Sequence, residues 1–171
     1  MKSTTINLPA FGTFITGQGG YLAAIMRGHT ADGIEQPPYA LLVSSQEAGE
    51  IKACAWGQYG KDVEGTSSRT NGQANTAAML AAECPAAVQI VEIEIDGHKD
   101  WFLPSLGQLN SAAANVPEMF NKDGWYWTST QNSRYSAFVQ EFEHGYSYWS
   151  RKGHEHRVRA FRAISLDLLN P

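Results

Sequence analysis

The chain has 171 residues, of which 43% are hydrophobic and 18% charged, the balance of a folded globular chain of one-domain size and not of a disordered one. A formal charge of -4 excludes a dedicated duplex nucleic-acid binder, which draws on a net basic face. Two cysteines exclude a disulfide-rich scaffold, and no window approaches the apolar length needed to span a membrane.

In chain order, "MKSTTINLPAFGTF" carries no apolar run of signal-peptide length, so no signal peptide is expected. Short runs bounded by Gly, Pro or Asp then read as strands: Phe11 to Thr16, Tyr21 to Gly28, Tyr39 to Ser45 and Ile51 to Trp56. "GQGG" at Gly17 to Gly20 precedes a strand and lacks the Lys-Ser/Thr of a phosphate loop, so it reads as a hairpin turn. Gly65 to Gly72 is a small, polar loop. Asn71 or Asn75 is placed to cap a helix over "TAAMLAA" that Cys84-Pro85 stops. Cys54 and Cys84 have no metal-ligand spacing; a reducing compartment is the simpler assumption, with a single bridge between them left open.

Residues Val88 to Gly97 alternate with a period near two, with a shift of apolar face midway, and predict a half-buried, bent strand. In "DWFLPSLGQLNSAAANV", Pro104 keeps Leu103 extended, and Pro104 or Ser105 starts an amphipathic helix carrying Leu106, Leu109 and Ala113. Four further extended runs follow: Trp125 to Thr130, Ser136 to Phe142, Gly145 to Lys152 and Val158 to Ser165. They are joined by the polar loops "QNSRY" and "KGHEHR" and by an "EHG" turn in which Gly145 takes positive φ.

The order Asp-Trp-aromatic-Leu-Pro-Ser, a helix carrying "QL", "YWTST", two more strands and a closing "VRAFRAI" resembles the Lcl C-terminal-like domain family. That family is regarded as a variant of the C-type lectin fold and is often found in phage and bacterial proteins. The match covers residues 88 to 165 well and residues 11 to 87 loosely, where "YALLVSS" and "TNGQANTAAML" look like the N-terminal half of phage-encoded members. The resemblance implies an α+β chain of C-type-lectin-like fold, with small antiparallel sheets, two helices and long loops. It would form a single domain over 1-171, in which 1-87 supplies N-terminal strands and the first helix and 88-165 the Lcl-like core. Its first and last strands would be joined, and Trp101, Leu103, Leu106, Trp127 and Phe161 would be core. The Glu-Pro-Asn, Gln-Pro-Asp and Trp-Asn-Asp motifs of calcium-dependent sugar-binding lectins are missing, and "VPE" at Val116 to Glu118 is not one of them. The paired-cysteine context of formylglycine-generating enzymes, which share the broad fold, is missing too.

The later loops carry the candidate site. Arg134, Tyr135, Tyr146, Tyr148, Trp149, Arg151, His154 and His156 interleave aromatic and basic groups with Ser and Gly, a mixture suited to recognition: rings supply area at low entropic cost and Arg supplies directional hydrogen bonds. Strand alternation puts Tyr146 and Tyr148 on one face and Trp149 and Arg151 on the other, so that only one set faces solvent fully. Six basic residues against three acidic ones between Arg134 and Arg162 predict either a local basic patch or internal ion pairs. His154 and His156 lie two apart, but a metal site needs further ligands, and His144 is the only histidine near enough to supply one.

These residues predict a non-enzymatic binding module without a cofactor, catalytic group or metal that recognises a protein or glycan partner on a cell or virion surface, and the resemblance implies a phage or prophage product. Its place would be a virion, or the host cytoplasm before assembly, with no nucleic-acid partner and no membrane insertion. One alternative is a structural virion-assembly protein that forms a homo-oligomer through its aromatic surface. Another is a metal-dependent enzyme using the His154 and His156 region.

Overall fold

A computed structural model describes residues 8–28, 30–31 and 33–169 and is α+β. The beginning of the N-terminal stretch assessed for a signal peptide, residues 1–7, lies outside the described residues. The strands are β1 (Phe14–Ile15), β2 (Gly20–Met26), β3 (Thr30–Ala31), β4 (Ile34–Glu35), β5 (Tyr39–Val43), β6 (Glu50–Ala55), β7 (Tyr126–Gln131), β8 (Ser136–Gln140), β9 (Ser147–Arg151), β10 (Glu155–Arg159) and β11 (Phe161–Ser165). Four α-helices stand among the described residues where two were expected: α1 (Gln46–Gly49), α2 (Gly72–Ala81), α3 (Pro85–Val91) and α4 (Leu106–Asn115).

Two sheets carry the fold. One has the order β1-β2-β5-β11 and the other β6-β10-β7-β8-β9, while β3 and β4 form a separate hairpin. Both sheets draw strands from the two halves of the chain, but the first and last strands, expected to be joined, lie at opposite edges of the four-stranded sheet, because β11 pairs with β5. The expectation of purely antiparallel sheets fails at one place: β10 meets β7 in the parallel sense, at Arg157↔Tyr126, because β10 enters between β6 and β7 after β8 and β9 have been laid down on the other side of β7.

The closing run Val158 to Ser165, read as one strand, is divided. Glu155–Arg159 belongs to the five-stranded sheet as β10, Ala160 is the break, and Phe161–Ser165 pairs with β5 as β11. The "KGHEHR" loop is correspondingly shorter than expected, since Glu155 already pairs with Ala55. Phe102 exchanges backbone hydrogen bonds with Phe161, at 2.8 and 3.0 Å, which brings the Trp101 segment to the start of the last strand.

Val88 to Gly97 is not a strand. Pro85 occupies the first turn of α3 after an extended Cys84, and Ala86, Ala87 and Ile90 are buried at helical spacing in the cluster that also holds β6 residues. Burial of that face overrides the β preference of its Val and Ile. The chain then turns sharply at Asp96 and Gly97, both with positive φ.

Helices α2 and α4 start where sequence signals place them. The Asn71 side chain accepts from the Ala74 N–H at 3.0 Å, and Ser105 caps α4 within a reciprocal box with Gln108. Gln108 Oε1 accepts the N–H of Ser105 at 2.9 Å and also that of Gly72 at 3.1 Å, so one amide serves both helix starts. A Cβ on Gly72 would sit 2.4 Å from that oxygen, which is why the junction takes glycine.

The five expected core residues, Trp101, Leu103, Leu106, Trp127 and Phe161, are all buried. The indole N–H groups of Trp56, Trp101 and Trp127 each donate to a backbone carbonyl, at 2.8, 3.0 and 2.8 Å, so their burial strands no donor.

Candidate recognition surface

Strand β9 is the outermost member of the five-stranded sheet. It pairs with β8 from Ser136↔Arg151 to Gln140↔Ser147 with no register shift. The turn before it is shaped by Glu141, whose carboxylate accepts the N–H groups of Glu143, His144 and Tyr146 at 2.8 to 3.1 Å. Gly145 has φ of +81°, as the turn requires.

Both faces of β9 are open, against the expectation that only one would be. Tyr146, Tyr148 and Trp149 are 65%, 58% and 47% exposed, and Arg151 is exposed with them. The cause is position: an edge strand has one neighbour, and α4 reaches it at Ser147, whose Oγ donates to Asn110 Oδ1 at 2.8 Å, without covering Tyr148, Trp149 or Arg151. The rings of Tyr148 and Trp149 leave the strand on opposite sides yet stack with centroids 5.3 Å apart and planes at 15°, so they meet round its open side.

Trp149 and Arg151 border an open depression of about 380 Å³ that also takes in Tyr59, Tyr135, Asn132 and Ser133. Tyr59 and Tyr135 approach to 5.2 Å between centroids. Their loops are tied in both directions, since the Gly60 N–H donates to Arg134 O at 3.1 Å and Arg134 Nε donates to Gly60 O at 3.0 Å. Tyr59 was not among the residues expected from sequence; the signal for it is an aromatic between Gly57 and Gly60 in a polar stretch.

Lys152 anchors this surface from beneath. Fully buried, it donates through Nζ to Lys61 O at 2.7 Å and to Gln131 Oε1, and it lies 4.6 Å from the centre of the Trp56 ring. Burial pushes its ammonium down to about 8, against the opposing pull of Cys84 and Asp62. Gln131 also accepts the Val63 N–H at 2.9 Å and donates to Asp62 at 2.7 Å, so the loop presenting Tyr59 is fastened to the sheet at several points.

The remaining expected residues separate into two groups. Tyr146 stacks on His144 at 5.7 Å, at the far end of the hairpin. His154 and His156 are linked through Ser150, whose Oγ lies 3.2 Å from one ring nitrogen and 2.8 Å from the other. His156 is half-buried, edge-on to Trp127 at 4.7 Å, and burial, then the neighbouring His154, holds its pKa down at about 4. Among the described residues, no three His, Cys, Asp or Glu side chains converge as a metal would need.

The C-terminal basic residues are mostly consumed by internal pairs. Arg157 and Arg159 both bond to Glu50, at 2.8 and 2.7 Å, and Arg162 bonds to Asp100. Arg134 and Arg151 are left at the surface. Cys54 and Cys84 are both free and buried; burial, and then Glu155, push the Cys54 thiol up to about 11. A larger depression, about 500 Å³, lies between Pro37, Pro38, Ile164 and Leu166, but the Tyr39 hydroxyl at its wall is engaged inward by Gln108 at 2.7 Å.

No helix among the described residues is long and apolar enough to cross a membrane. No protein-family model and no curated protein matches the chain. Among solved structures the fold is similar to that of a fimbrial protein from Bacteroides ovatus ATCC 8483, with a TM-score of 0.52 and 11% identity; the likeness covers 88% of this chain and 44% of that one, so the chain spans less than half the length of the protein whose fold it shares.

Proposed function

We propose that the chain is a non-enzymatic binding module that engages a protein or glycan partner through the β8–β9 hairpin and the loops beside it. The observation that carries this reading is the concentration of exposed rings, Tyr59, Tyr135, Tyr148 and Trp149, around Arg151 on the open edge of a sheet fastened from beneath by Lys152. Soluble proteins seldom leave large aromatics clustered in water, and rigid rings beside one arginine are the composition of binding hot spots. The fimbrial character of the structural neighbour is compatible with a surface-binding or structural role.

We also propose the finer assignment, membership of the Lcl C-terminal-like family with a C-type-lectin-like fold, in a phage or prophage product carried on a virion. The bridge from the Trp101–Leu103 segment to the last strand and the helix starting at Ser105 support it.

The test compares wild type with the double variant Tyr148→Ala, Arg151→Ala for binding to whole bacterial cells and to an immobilised glycan panel. Both side chains are exposed, so the melting temperature should stay within a few degrees while binding is lost. Unchanged binding by the folded double variant would overturn the assignment of this surface.

A further inference from the structure

The backbone of β9 carries information that its side chains do not. The Glu141 N–H donates to Tyr146 O at 3.0 Å and the Lys152 N–H donates to Tyr135 O at 3.0 Å, which fixes the phase of the β8–β9 ladder. In an antiparallel pair, hydrogen-bonded and non-hydrogen-bonded positions alternate. Tyr146, Tyr148, Ser150 and Lys152 therefore turn their main-chain groups toward β8. Ser147, Trp149 and Arg151 turn theirs outward, where the sheet ends.

Apart from the Tyr148–Trp149 stack that closes round it, that edge lacks the usual protections. It has no proline and no bulge, its register with β8 is unbroken, and its single formal charge is Arg151, at the end. An open row of this kind is a template for another extended strand.

We propose that the occupant is a second copy of this chain, with the two β9 strands paired antiparallel about a two-fold axis at Trp149. The register is self-complementary. Trp149 faces Trp149 of the second copy, and Ser147 faces Arg151, so every outward group on one strand meets an outward group on the other. The Arg151 carbonyl already accepts the His154 N–H at 2.9 Å and keeps a second lone pair for this contact. Charge favours the same arrangement: antiparallel pairing sets each Arg151 against the uncharged Ser147, with the other copy's exposed Glu143 on that side, four residues before it, and this copy's exposed Glu155 beyond. Parallel pairing would set like against like.

Docking requires the Tyr148–Trp149 stack to open, a rotation of two exposed rings that no hydrogen bond restrains. The product is one continuous sheet across two copies, with both Tyr59–Trp149 depressions on the same side. The pairing does not rest on the partner proposed above, because it uses main-chain groups and needs no ligand.

Light-scattering mass across a wide concentration range, without any added partner, tests it. Wild type should pass from the mass of one chain to that of two. Trp149→Glu and Trp149→Lys, each confirmed folded by its melting curve, should each stay at one chain, because like charges then face each other on the axis. An equimolar mixture of the two should recover the doubled mass. In wild type, amide exchange at Ser147, Trp149 and Arg151 should slow as concentration rises. A wild type that keeps the mass of one chain at every concentration overturns the proposal, as does a doubled mass that persists in both charged variants alone or a mixture that fails to pair. Loss of cell or glycan binding in Tyr148→Ala, Arg151→Ala with the doubled mass retained would separate the two proposals.

Discussion

His156 shows how one position sets a pH response. Its ring lies against Trp127 and is held neutral, with a folded pKa of about 4 against an ordinary value of 6.5. A histidine that resists protonation when folded binds protons more readily when unfolded, so its contribution to stability is complete above pH 6.5 and is lost as pH falls toward 4. The melting temperature should therefore drop across that window, and His156→Phe, which keeps a ring against Trp127, should flatten the drop relative to wild type. Thermal melts of the two proteins at matched pH values read the difference. The histidine pair was legible as a pair in the sequence. What could not be read was Ser150 coming between the rings, because that serine reaches them only when β9 turns into β10. Lys152 is a similar case: it counts toward a basic surface in sequence, yet only the approach of Trp56, Lys61 and Gln131 from distant segments gives it a buried seat.

Elements that announce themselves by local chemistry were legible. Asn71 and Ser105 start helices because a short polar side chain beside a helix N-terminus satisfies an orphan N–H wherever the rest of the chain goes. Gln108 does more than its box implies, since its Oε1 holds the first N–H of α2 as well. Ser105→Ala should cost about 1 kcal/mol as the loss of a cap. Gln108→Ala should cost more than about 2 kcal/mol, because it leaves two buried N–H groups, on Gly72 and Ser105, without an acceptor. Urea denaturation of both variants checks the ranking. By contrast, the segment from Val88 was misread because Val and Ile at alternate positions look like a strand, and only packing beside β6 makes Val88 to Val91 the end of α3, with irregular chain after it. The open faces of β9 were also hidden: alternation gives the face of each residue but not whether anything lies over it.

At the scale of the whole molecule, Glu50 gathers the five-stranded sheet at the point where the chain enters it from β5 through α1. Its carboxylate accepts from Arg157 at 2.8 Å, from Arg159 at 2.7 and 3.1 Å, and from the Tyr126 hydroxyl at 2.7 Å. Arg159 reaches on to the carbonyls of Ser44 and Met119 at 2.9 and 3.0 Å, and lies over the Phe120 ring. One carboxylate thus compensates two guanidinium groups, one of them fully buried. Glu50→Gln should destabilise by about 3–5 kcal/mol, the range for removing one member of a buried ion pair, and equilibrium unfolding in denaturant measures it. The sequence foretold an α+β chain with this core, but not this junction, whose members lie in segments far apart and come together only once β6, β7 and β10 share one sheet.

The break at Ala160 bears on how the chain comes to its native state. Residues 155–165 complete both sheets at once, wedging between β6 and β7 on one side of the break and zipping onto β5 on the other. During synthesis, β5 and β6 each keep a flank bare while the stretch of about a hundred residues between β6 and β10 is made, until residues 155–165 emerge. Neither sheet closes before that segment is made, so both are completed together, and the nascent chain carries open strand flanks until it arrives.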